Sequence, residues 1–174
     1  MLKTPKGFRL HIGLFGRRNV GKSSVLNAMT RQAVSIVSEV AGTTTDPVEK
    51  PMELLPIGPV LFIDTAGIDD IGALGEMRVQ RTRQVFDRTD IGVVVTPAGE
   101  WDQFEQAILE ELRHREIPAI VVFNKVDLGE PRAEVLERLK ALKVPVVRSV
   151  ATEGEGILDL REALIRKAPE DFIN

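Results

Sequence analysis

The residues Gly16-Arg17-Arg18-Asn19-Val20-Gly21-Lys22-Ser23 have the composition of a loop that cradles phosphate. The two glycines let backbone N–H groups turn inward on phosphate oxygens, Lys22 supplies a cation to the β and γ groups, and the Ser23 hydroxyl can ligate magnesium. A second signal, Asn124-Lys125-Val126-Asp127, lies about a hundred residues on. A carboxylate such as Asp127 can accept both the N1–H and the exocyclic amine of guanine. Adenine offers no such pair of donors and would leave buried acceptors unsatisfied. Together the two segments imply GTP and GDP rather than the adenine nucleotides.

Between them stands Asp64-Thr65-Ala66-Gly67, at the end of the apolar run Val60-Leu61-Phe62-Ile63. Asp64 is placed to hold magnesium through water, and Gly67 to bring its backbone N–H to the γ-phosphate. The run Thr43-Thr44-Thr45 can add a hydroxyl to the magnesium, and Thr44 is the residue selected. The expected magnesium set is therefore Ser23, Thr44 and Asp64.

These residues need a scaffold that ends several strands at one rim. Short apolar runs alternate with helix-period stretches, the pattern of a mostly parallel sheet covered by helices on both faces. Six strands are expected: Leu10 to Phe15, Val48 to Leu55, Val60 to Asp64, Ile91 to Val95, Ala119 to Asn124, and Val144 to Ser149. The turn Pro56-Ile57-Gly58-Pro59 makes the second and third a hairpin, so one edge strand is antiparallel. Lys22 to Thr30 reads as the helix that follows the phosphate loop. Trp101, Phe104, Ile108 and Leu112 fall on one helical stripe, as do Val135, Leu139 and Leu142, and then Ile157, Leu160, Leu164 and Ala168. These stripes read as core.

With 174 residues, 43% of them hydrophobic, the chain is expected to form one domain with a single core. Its longest apolar runs are far below the roughly 18 to 20 residues of a membrane span, so a cytoplasmic location is expected and no membrane partner. The absence of cysteine excludes disulfides and thiolate chemistry. A net charge of −3, no tyrosine and one tryptophan do not make the basic, aromatic surface of a nucleic-acid binder. His11 and His114 stand apart from any ligand cluster. Arg78, Arg81, Arg83 and Arg88, interleaved with Val79, Thr82 and Phe86, read as the wet face of an amphipathic helix.

The whole chain resembles a P-loop GTPase G domain of the TrmE/Era/EngA-like group, which includes tRNA-modification and ribosome-assembly GTPases. Within it, Phe15 to Ser24, Ala41-Gly-Thr-Thr-Thr-Asp-Pro-Val48 and Asp64-Thr-Ala-Gly-Ile-Asp-Asp70 resemble HydF, the GTPase of iron-iron hydrogenase maturation. That finer resemblance rests on Thr45, Asp46-Pro47 and Asp69-Asp70. It implies that residues 1–174 are the N-terminal G domain of a longer protein, whose further domains hold a dimerisation surface and a cluster. It also implies partners: the two radical-enzyme maturases and the apo-hydrogenase, acting through the full-length protein, with a G-domain homodimer allowed.

The resemblance assigns nucleotide binding to Gly16, Asn19, Val20, Gly21, Lys22, Ser23, Ser24, Asn124, Lys125, Asp127 and Ala151, the last through its backbone N–H to the guanine oxygen. It assigns catalysis to Lys22, Asn19, Thr44, Gly67 and Glu76. Ile68 stands where small GTPases place a water-orienting glutamine, so slow hydrolysis is expected. Asn19 is the expected potassium ligand, the cation neutralising charge between the β and γ groups. Glu76 is the candidate for holding the attacking water. Val150-Ala151-Thr152 replaces the Ser-Ala-Lys of relatives, which removes a loop-bracing hydrogen bond of about 1 kcal/mol and predicts a looser base pocket. Three readings stay open: a slow GTPase that regulates a metallocluster scaffold, a GTPase acting on RNA or ribosomes, and a non-catalytic GTP-binding module.

Overall fold

The computed structural model describes residues 9–16, 21–32, 35–36, 48–64 and 84–168. Seven strands form one sheet in the order β2-β3-β4-β1-β5-β6-β7. They are β1 (Leu10–Phe15), β2 (Ser35–Ile36), β3 (Val48–Leu54), β4 (Gly58–Asp64), β5 (Ile91–Pro97), β6 (Ala119–Asn124) and β7 (Val146–Arg148). The six expected strands are all present, and β3 runs antiparallel to β4 as expected. The two-residue β2 pairs outside β3 and so takes the edge itself.

β5 and β6 bury nearly every side chain, which is why they read as unbroken apolar runs: helices cover both faces of a parallel sheet. On one face, α1 (Lys22–Gln32) and α4 (Ile157–Lys167) pack over Leu10, Ile12, Leu14, Phe62, Val93 and Val122. On the other, α2 (Gln103–His114), α3 (Ala133–Ala141) and a helical turn at residues 84–88 pack over Phe15, Val94, Val121 and Phe123. The expected stripes supply both layers, with one shift. Trp101 precedes α2, because Asp102 is the N-cap, its N–H donating to Glu105 Oε1 (2.8 Å), and the helix starts at Gln103.

β1 lies between β4 and β5, parallel to both, with Leu14 beside Asp64 and Phe15 beside Val94. The chain leaves β1 toward one side of the sheet and later crosses to the other. The strand order therefore reverses at β1, and open α/β sheets bind their ligands beyond the carboxyl end of such a strand. Among the described residues no helix is long and apolar enough to cross a membrane, and no group of His, Asp and Glu forms a metal cluster of three or more.

Candidate functional site: a nucleotide rim at the carboxyl ends of the strands

Gly16 follows β1, Asp64 ends β4, Asn124 ends β6 and Ser149 follows β7, so the expected phosphate, metal and base residues share one rim. The Gly21 carbonyl accepts the first helical hydrogen bond of α1, from the Val25 N–H (2.8 Å). The N–H groups of Lys22, Ser23 and Ser24 thus belong to the helix's first turn, which carries no acidic side chain. Such a terminus attracts phosphate through the N–H groups of its first turn and the helix dipole.

Lys22 is buried, 6% exposed. Its Nζ donates to the Gly16 carbonyl (2.7 Å) and lies 3.7 Å from Asp64 Oδ1. The backbone of the loop's first residue therefore aims the ammonium, and the Asp64 carboxylate sits within Coulomb reach of it. Asp64 is also buried, whereas Ser23 is exposed on the first turn of α1. A carboxylate and a hydroxyl are the hard oxygen donors that suit Mg2+, so Ser23 and Asp64 fit the ion. When bound, it would neutralise charge on the phosphate oxygens. Thr44 and Gly67, the expected γ-phosphate sensors, lie outside the described residues, as do Asn19, Val20 and Glu76.

The base end is organised by Asn124, only 2% exposed. Its Oδ1 accepts from the Ser149 hydroxyl (2.9 Å) and from the Ala151 N–H (3.0 Å). With the oxygen committed to those donors, Nδ2 faces the phosphate loop. A Cβ on Gly21 would come within 2.1 Å of that nitrogen, and Gly21 has φ +100°. Any side chain at position 21 would meet both obstacles, so the second glycine of the phosphate motif is required by Asn124 as well as by phosphate. Asn124 is therefore a strut between Gly21, at the end of the phosphate loop, and the base-capping loop.

Lys125 holds φ +59° and opens a turn closed by the Leu128 N–H on its carbonyl (2.9 Å). Left-handed backbone at a non-glycine residue is uncommon and marks a constrained site. The turn leaves Asp127 exposed at the rim, and the Val126 N–H donates to the Ser149 carbonyl (3.2 Å).

The base-capping loop departs from expectation in two respects. The brace expected to be missing at Val150 comes from Ser149, one residue earlier, which no sequence pattern singled out. Val150 and Glu155 also exchange backbone hydrogen bonds of 3.1 and 3.2 Å, closing the loop on itself. The looser pocket inferred from Val150 is thus offset by two other ties. The Ala151 N–H, assigned to the guanine oxygen, donates to Asn124 in this structure, so guanine would share that donor with Asn124 or replace it.

A mostly parallel sheet with a phosphate loop, a buried lysine–carboxylate pair and a base loop on one rim defines a P-loop GTPase G domain. Residues 11–125 match the family model described as 50S ribosome-binding GTPase, and the chain belongs to that family. It is 41% identical over 157 residues to the tRNA modification GTPase MnmE of a Synechococcus strain, a match covering 88% of this chain and 32% of that protein. GTPase Der of Wolinella succinogenes is 34% identical over 185 residues, covering 95% of this chain and 38% of its own. The structure of Aquifex aeolicus Era bound to GDP and AlF4− superposes with a TM-score of 0.68 at 28% identity, covering 92% of this chain and 57% of that one. The chain spans about a third of the length of the curated relatives it matches.

Proposed function

We propose that this domain is a slow, magnesium-dependent GTP switch within a longer protein, stimulated by potassium held at Asn19. The observation that carries the reading is the rim itself: Lys22 within 3.7 Å of Asp64, with Asn124 tying the phosphate loop to the base loop. Ser23, Asp64 and Thr44 hold Mg2+. Gly67 and Thr44 sense the γ-phosphate, and Glu76 holds the attacking water that Ile68 cannot orient. GTP then biases residues 33–47 and 68–80 between two arrangements, to the extent that it binds one better than the other.

Two clients are consistent with such a switch. Thr45, Asp46-Pro47 and Asp69-Asp70 support a role in iron-iron hydrogenase maturation, with the radical maturases and apo-hydrogenase as partners. The names of the curated relatives favour the second reading more directly, since MnmE is a tRNA modification GTPase. The two separate in one experiment on the full-length protein. Binding of the maturases, the apo-hydrogenase and bulk tRNA is measured with GTP, GDP and no nucleotide, in the parent and in Ser23→Ala. The maturation reading expects nucleotide-dependent affinity for the maturases or hydrogenase that Ser23→Ala abolishes. Nucleotide-dependent binding of tRNA alone would replace it with the RNA reading. A single-turnover phosphate-release assay that shows no hydrolysis would reduce the domain to a GTP-binding module.

A further inference from the structure

A line of direct contacts runs from a surface guanidinium to the cation of the phosphate loop. Arg115 caps the carboxyl end of α2, with its side chain 24% exposed. Its Nε donates to Glu111 Oε2 (2.6 Å), and Nη1 pairs with Asp87 in the helical turn at 84–88. The guanidinium carbon lies 5.3 Å from the centre of the Phe86 ring. Phe86 in turn stacks on Phe15, with centroids 4.9 Å apart and planes within 12°. Phe15 is the last residue of β1, and the next carbonyl, that of Gly16, holds Lys22 Nζ.

The packing around this line is close. Phe15 is fully buried and Phe86 is 3% exposed. A Cβ on Gly13 would come within 2.8 Å of the Phe15 ring and 2.9 Å of Thr89 Oγ1, so the strand is left bare to admit that ring. The chain after the turn is tied to the same strand: the Asp90 N–H donates to the His11 carbonyl (2.8 Å), and the His11 N–H returns to Asp90 Oδ2 (2.8 Å). The Glu111 hydrogen bond raises the Arg115 pKa from its already high ordinary value. Burial opposes this and Asp87 adds to it, so the cation over the ring is permanent.

We propose that Arg115 is a positioning residue for the phosphate loop, acting through the Phe86–Phe15 stack on the Gly16 carbonyl that aims Lys22. Arg115 attracts the face of Phe86 electrostatically, and the paired rings fix where β1 ends. Close-packed contacts of this kind pass displacement on rather than absorbing it. The surface formed by Arg115, Asp87 and Glu111 is then a place from which phosphate affinity is set at a distance.

Lys22 serves the β and γ groups, so the effect must depend on the phosphates present. Affinities for GMP and GDP are measured by calorimetry on the 174-residue chain, for the parent, Arg115→Ala, Arg115→Lys and Phe86→Leu, each with and without Lys22→Met. Arg115→Ala and Phe86→Leu are expected to weaken GDP binding by about threefold to tenfold, inside the roughly twofold to thirtyfold span of couplings through packed networks, and to leave GMP unchanged. Arg115→Lys, which keeps a cation over the ring, restores part of the loss. In the Lys22→Met background the Arg115 substitution has no further effect. Thermal unfolding of each variant tells loss of folding from loss of positioning. Equal losses for GMP and GDP, undiminished GDP affinity in Arg115→Ala, or the same loss with and without Lys22 would each overturn the proposal.

Discussion

The strut between the two halves of the nucleotide rim predicts a specific non-additivity. Ser149→Ala removes one donor to Asn124 Oδ1, while the Ala151 N–H remains. The loss should be about 1 kcal/mol, that of one ordinary buried hydrogen bond. Asn124→Ala leaves two buried donors without their acceptor, and at about 1 to 3 kcal/mol for each unsatisfied group it should destabilise the fold by about 2 to 6 kcal/mol. In the double variant the serine hydroxyl is gone, so its unsatisfied donor no longer contributes. The combined loss should fall short of the sum by about 1 kcal/mol. Urea unfolding at several GDP concentrations, extrapolated to zero ligand by linkage, measures all three. In thermal scans each kcal/mol corresponds to about 2 to 4 °C for a chain of this size. Losses that add to within about 0.4 kcal/mol would show that Ser149 and Asn124 act independently, and the strut would be refuted.

Two further outcomes bear on the ligand. Asp127→Asn should weaken GTP by about 2 to 4 kcal/mol through loss of a charge-assisted pair and shift preference toward xanthine nucleotides; titrating both nucleotides against both proteins checks it, and unchanged GTP affinity removes the guanine assignment. Hydrolysis should run faster in potassium than in sodium at matched ionic strength, with Asn19→Ala erasing the difference while GTP binding persists; identical rates in the parent would end the cation assignment.

The ends of β1 and β6 are legible in the sequence because each strand runs apolar up to a polar motif, Gly16 in one case and Asn124 in the other. The helical stripes are legible for the same reason that they pack: periodicity and burial are one fact. Ser149 is different. Its function lies in a hydrogen bond to a residue 25 positions earlier, and a serine closing an apolar strand has no local pattern to announce that. Trp101 misleads in the opposite way. It keeps helical spacing with Phe104 and Ile108, yet Asp102 and Glu105 start the helix after it, so a spacing match stood in for a packing contact with Phe123. β2, with two residues, is too short to carry a hydrophobic period. Val144 is buried beside β7 without belonging to it, which shortens the expected strand.

The position of Trp101 has a practical consequence. It is the chain's sole tryptophan, and there is no tyrosine, so ultraviolet emission comes from one place. That indole lies 6.1 Å from the Phe123 ring at a 53° tilt, donates to Gln106 Oε1 (3.0 Å), and has its own carbonyl held by Arg132. Phe123 directly precedes Asn124. The domain thus contains a single-site fluorophore whose ring contact, Phe123, directly precedes the Asn124 strut, so its emission on the unlabelled protein is a direct test of whether nucleotide exchange is felt there.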